Sequence, residues 1–75
     1  MTPQTDTELT LWNYGRNVAD AQRRGKTLAA AEAHMSTLAG FEDVRRAVMT
    51  LGYDLSNAWI QEGYHSEDRT RGRTQ

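Results

Sequence analysis

The side chains in this 75-residue chain that could move a proton or hold a metal are two histidines and ten carboxylates, with no cysteine. The missing thiols exclude thiolate zinc sites, cysteine nucleophiles and disulfide staples together. His34 sits in an alanine-rich stretch and His65 near the C-terminus, and neither belongs to a His-Glu-x-x-His pattern that would put two imidazoles on one helix face. Glu32 stands two residues from His34 and therefore points to another side of the helix. Glu42 and Asp43 fall where a helix opens, and acids there complement the helix dipole without any chemistry. The other acidic pair, Glu67-Asp68, lies in the charged C-terminal stretch. Gly25-Lys26-Thr27 has the ending of a phosphate-binding loop, but Asp20 occupies the place of its first glycine and no apolar strand precedes it. These patterns give no catalytic, cofactor-binding or metal-ligating residue, and they point away from an enzyme.

What remains is contact chemistry. Met49, Tyr53 and Ile60 lie within about 40° of one another on a helical projection, roughly 120 to 160° from the centre of the main apolar stripe. Methionine and aromatic residues dominate binding energy when they are buried at a contact, so these three, with Trp12 or Tyr64, form a candidate protein interface. A second set is basic. Arg16, Arg23, Arg24 and Lys26, less Asp20, make residues 16–26 locally +3, and Arg69, Arg71 and Arg73 add charge around Gly72. Such groups could neutralise phosphates. Residues 27–62, however, hold five acids against two arginines, and a helix-turn-helix centred on Gly40 would need an apolar residue where Arg46 stands.

The elements that must position these residues are legible as helices. Thr5-Asp6-Thr7-Glu8 matches a capping box, which predicts a helix from there to Gly25. Along it Leu11, Tyr14, Gly15, Val18 and Gln22 share one side, with Trp12 and Ala19 at its edge. Thr27 can cap a second helix running to Ala39 and closed by Gly40, with Leu28, Ala31, Met35 and Leu38 on its inner face and Ala30, Ala33 and Thr37 opposite. Phe41, Val44, Val48, Leu51, Leu55 and Trp59 then recur at spacings of three and four. Gly52 interrupts this run and could mark a break with a new start at Asp54. The apolar phase passes through Gly52 without a slip, which favours one central helix over residues 42–62, ended by Gly63.

The expected fold is all-α: a helical hairpin plus a longer third helix in one domain over residues 1–63, with a disordered tail over 64–75. Leu9, Leu11, Val18, Leu28, Met35, Leu38, Phe41, Val44, Val48, Leu51, Leu55 and Trp59 are the candidate core. It is lean for a chain this short, and a partner would add to it. The net charge of -1 selects no class of partner. The sequence lacks a transmembrane-length apolar run, and its start lacks the basic-then-apolar form of a signal peptide, so the expected location is the cytoplasm. Eight arginines against one lysine suit a GC-rich genome. Size and composition resemble those of small accessory proteins of phages and other mobile elements. The expectation for function is a helical adaptor, inhibitor or modulator that dimerises or docks a helix. The alternative is a small nucleic-acid-binding regulator using the seven basic residues named above.

Overall fold

A computed structural model describes residues 2–36 and 40–66, and within them the chain forms four α-helices. They are α1 (Asp6–Arg23), α2 (Leu28–Ser36), α3 (Phe41–Leu51) and α4 (Tyr53–Tyr64). The all-α expectation holds. The single long third helix does not, because it is two helices divided at Gly52.

Each start has a local cause. At the head of α1 the Glu8 amide donates to Thr5 Oγ1 at 3.2 Å, and Glu8 Oε1 accepts from the amides of Thr5 at 3.2 Å and Gln4 at 2.8 Å. This capping box satisfies donors that the first turn leaves without helical partners. The helix stops at Gly25, whose φ of 97° turns the chain while the Gly25 and Lys26 amides donate back to Gln22 and Ala21. Thr27 caps α2 as the sequence implies, its Oγ1 accepting from the Ala30 amide at 3.1 Å. The expected last residues of α2 and the core residue Leu38 lie outside the described residues.

Gly52 makes the break in a single residue. Its amide still donates to the Val48 carbonyl at 2.9 Å, and its own carbonyl accepts from the Ser56 amide at 3.1 Å. Helical hydrogen bonding therefore runs up to the break from both sides. Between them Gly52 holds φ 85° and ψ 164°, a conformation essentially confined to glycine. The break changes which side of the following helix faces inward. Ser56, Trp59 and Gly63 are the buried positions of α4, whereas Leu55, expected in the core, is 48 % exposed.

The organising helix is α1 rather than the third segment, since it contacts each of the other three. Leu11 is fully buried and meets Ala47 of α3 and Trp59 of α4, with Trp12, Val44, Val48, Leu51 and Ile60 packed around them. Val18 and Ala31 are also buried, and Tyr14 sets its ring 6.2 Å from that of Phe41. Leu9 and Leu28, also expected inside, are exposed. Two buried positions carry no side chain at all, Gly15 on α1 and Gly63 on α4. A methyl group at Gly15 would overlap the Ile60 carbonyl and come within 2.9 Å of the Tyr64 amide nitrogen. A methyl group at Gly63 would overlap the Trp12 carbonyl in the same way. The backbones of α1 and α4 thus touch where they cross, and each glycine admits the other helix's carbonyl. Gly63 accordingly does not end the helix. It lies inside α4, and Tyr64 beyond it is ordered.

Candidate protein-interaction surface

The five residues that the sequence offers as an interface divide into two groups. Met49 is 85 % exposed and Tyr53 is 80 % exposed, the two most exposed large apolar side chains among the described residues. Ile60, Trp12 and Tyr64 are half-buried and belong to the fold. Ile60 and Trp12 pack on the Leu11 cluster, and each presents its carbonyl to the glycine of the opposite helix. The Tyr64 hydroxyl donates to Gln22 Oε1, tying the end of α4 to α1. The Gly52 break explains the division. In one straight helix Met49, Tyr53 and Ile60 would share an edge, but the change of direction carries Ile60 under α1 and leaves the other two outside.

Met49 stands at the lip of a depression that the sequence does not reveal. Tyr14, Phe41, Val44, Val48 and Ile60 form its walls, exposed Arg45 and Met49 flank it, and its volume is about 390 Å³. Phe41 and Val44 also wall an adjoining hollow of about 290 Å³, which extends past Asn13 and Asn17 to Met35. Together they make a groove between α1 and α3. Phe41, Val44 and Val48 come from the stripe assigned to the core, Tyr14 from the apolar side of α1 and Ile60 from the stripe assigned to an interface, and all five are half-buried. The one available signal was the spacing of Gly15 on the first helix and of Ser56 and Gly63 seven residues apart on the last, a pattern that lets helices approach closely.

Titration adds little to the site. Burial, and then the negative charge of Glu32, push the Tyr14 phenol above its ordinary value of 10.0. The described residues contain no cluster of three histidine, cysteine, aspartate or glutamate side chains that could hold a metal ion. They also contain no helix long and apolar enough to cross a membrane.

Arg16, Arg23, Arg24 and Lys26 are all exposed, and the first three have neighbours on α1. Asp20 accepts from Arg23 at 3.1 Å and from Arg24 at 3.2 Å, and the Arg16 guanidinium lies 5.6 Å from the centre of the Trp12 ring. Lys26 is exposed just past the end of α1. Arg69, Arg71 and Arg73 lie outside the described residues.

Among the described residues the chain is a small domain of four helices, with Met49 exposed beside an apolar depression and Tyr53 exposed at the start of α4. Comparison with protein-family models, with curated proteins and with solved structures finds no match.

Proposed function

We propose that this protein is a non-enzymatic helical interaction module, acting in the cytoplasm as an adaptor or modulator, and that it binds other protein through the Met49 and Tyr53 patch. The observation that carries this reading is the exposure of those two side chains in a domain with so few buried ones. Burying an apolar side chain of this size on association is worth about 1.5 to 3 kcal/mol. Around buried Leu11, Val18, Ala31, Ala47 and Trp59, the described residues leave Met49 and Tyr53 far more open than Leu9, Leu28 and Leu55, which are each about half exposed, so spare apolar energy lies at the surface and is greatest at those two. A phosphate-binding role has less support, because Arg23 and Arg24 share the Asp20 carboxylate and Arg16 lies against Trp12.

The test is affinity capture from the native host with the tagged wild type and with Met49→Glu/Tyr53→Glu. Both positions are exposed, so circular dichroism and melting temperature should be unchanged. Partners held by the wild type and lost by the variant support the reading. The same partners on both proteins would refute it. Ile60→Glu is unsuitable as a surface probe, since its charge would enter the crossing of α1 and α4.

A further inference from the structure

We infer that Gly52 is a hinge, and that the chain has a second state in which residues 41–64 form one straight helix and α4 packs on α1 of a second copy, a domain-swapped dimer. The inference goes beyond the contact surface proposed above and needs neither Met49 nor Tyr53 as a contact. Very little separates the bent chain from the straight one. A single residue departs from helical geometry: Gly52 donates to the Val48 carbonyl behind it and accepts from the Ser56 amide ahead of it, both with helical spacing. Rotating Gly52 from φ 85° and ψ 164° into the helical region joins the two halves. The amides of Tyr53, Asp54 and Leu55, which open α4 without a side-chain cap, would then donate to the carbonyls of Met49, Thr50 and Leu51. Leu55, 48 % exposed in the bent chain, would rejoin the row of Phe41, Val44, Val48 and Leu51.

What the straight helix gives up fixes the partner. In the bent chain Ala47 and Trp59 belong to one buried cluster with Leu11, whereas a straight helix holds them about 18 Å apart at 1.5 Å per residue. One chain cannot then keep both, so α3 stays on its own α1 and α4 leaves. The surface that α4 vacates is particular. Gly15 receives the Ile60 carbonyl, Gly63 receives the Trp12 carbonyl, and Gln22 accepts from the Tyr64 hydroxyl. A backbone that offers a carbonyl and, three residues on, a glycine fits that seam, and α4 of a second copy offers both. Each α1 receives the other protomer's α4, every contact of the seam is remade, and the hydrogen bonds at the hinge are gained. Exchange of an identical element is reciprocal and closes as a dimer. Joining two chains opposes it, so the balance between the two states depends on concentration.

Sedimentation equilibrium after refolding from urea at low micromolar and at near-millimolar protein tests the hinge. The wild type should keep the 8.5 kDa mass of the protomer at the first and move toward twice that mass at the second. Gly52→Ala disfavours the bend and favours the helix by at least about tenfold in each chain, so its dimer should form at a roughly hundredfold lower concentration. Tyr53→Pro does the reverse. Proline suits the first position of α4, but in the straight helix its ring would strike the Met49 carbonyl, so this variant should stay at 8.5 kDa throughout. Distance tells the swap from a dimer of bent chains, because the chain has no cysteine of its own and exposed Arg45 and Gln61 can carry spin labels through Arg45→Cys/Gln61→Cys. Diluted with unlabelled protein, the dimer should hold the two labelled positions about 24 Å apart, the length of straight helix between them. The monomer should hold them closer, since Arg45 and Ile60 line one depression. A Gly52→Ala protein that is helical by circular dichroism yet stays at 8.5 kDa at every concentration overturns the hinge, as does a dimer that keeps the monomer's distance or a Tyr53→Pro protein that dimerises like the wild type. A wild type with no population at about 24 Å after refolding at near-millimolar concentration refutes the swap whether or not Gly52→Ala folds.

Discussion

Replacing Gly15 by alanine tests the physical centre of the fold, because two general effects oppose each other there with different signs. At an unobstructed helix position the substitution stabilises by about 0.8 to 1 kcal/mol, since alanine loses less backbone freedom on folding. At Gly15 the new methyl would occupy the space of the Ile60 carbonyl and crowd the Tyr64 amide. Both obstacles are backbone atoms in a helix, so neither can rotate away and the helices must separate. Overpacking of this kind costs about 1 to 3 kcal/mol. A gap of 0.5 to 1 Å also forfeits about a quarter to a half of each contact across the seam, where Leu11 and Trp59 meet. Overpacking less the alanine gain leaves a loss of up to about 2 kcal/mol, to which the forfeited contacts add, set against roughly 3 to 9 kcal/mol for some 60 ordered residues at the usual stability per residue. Urea titration followed by far-ultraviolet circular dichroism and tryptophan fluorescence would measure it. Gly40→Ala, with nothing within 4 Å of the added carbon, is the control and should change stability by less than about 1 kcal/mol. Gly63→Ala should match Gly15→Ala. The double variant should cost less than the sum, because one separation of α1 from α4 relieves both overlaps. A Gly15→Ala protein as stable as wild type, or more so, would refute the close crossing.

Other single residues carry expectations of their own. Gly52→Ala should destabilise by about 1 to 3 kcal/mol in the same titration, since its backbone conformation is one that alanine avoids; an unchanged midpoint would mean that the chain does not break there. Ser56 is buried and its hydroxyl has no hydrogen-bond partner among the described residues, so Ser56→Ala should leave stability unchanged or raise it by up to about 2 kcal/mol, and a clear loss would mean that the hydroxyl is bonded after all. The raised Tyr14 value sets a sign for alkaline pH. The unfolded chain gives up this proton first, so stability is full below the ordinary value and falls as pH rises through it toward the folded value. Tyr14→Phe should flatten that decline in urea titrations above pH 10, and an identical slope in both proteins would contradict the assignment.

The sequence by itself determined the all-helical class, the capping box at Thr5, the Thr27 cap, the stop at Gly25, and the exposure of Met49 and Tyr53. These are local matters, settled by hydrogen bonding within one turn and by apolar spacing along one helix. Tertiary structure decided the rest. The apolar phase from Phe41 to Trp59 favours one helix, yet the chain forms two, because a one-residue break at Gly52 leaves the spacing intact while redirecting α4. That redirection placed Ser56 inside, set Leu55 outside, and carried Ile60 into the crossing. The crossing was hidden for a related reason. A glycine in a helix reads as a weakness or an end until a second backbone arrives against it, and only the folded chain shows that Gly15 and Gly63 are where the two helices meet.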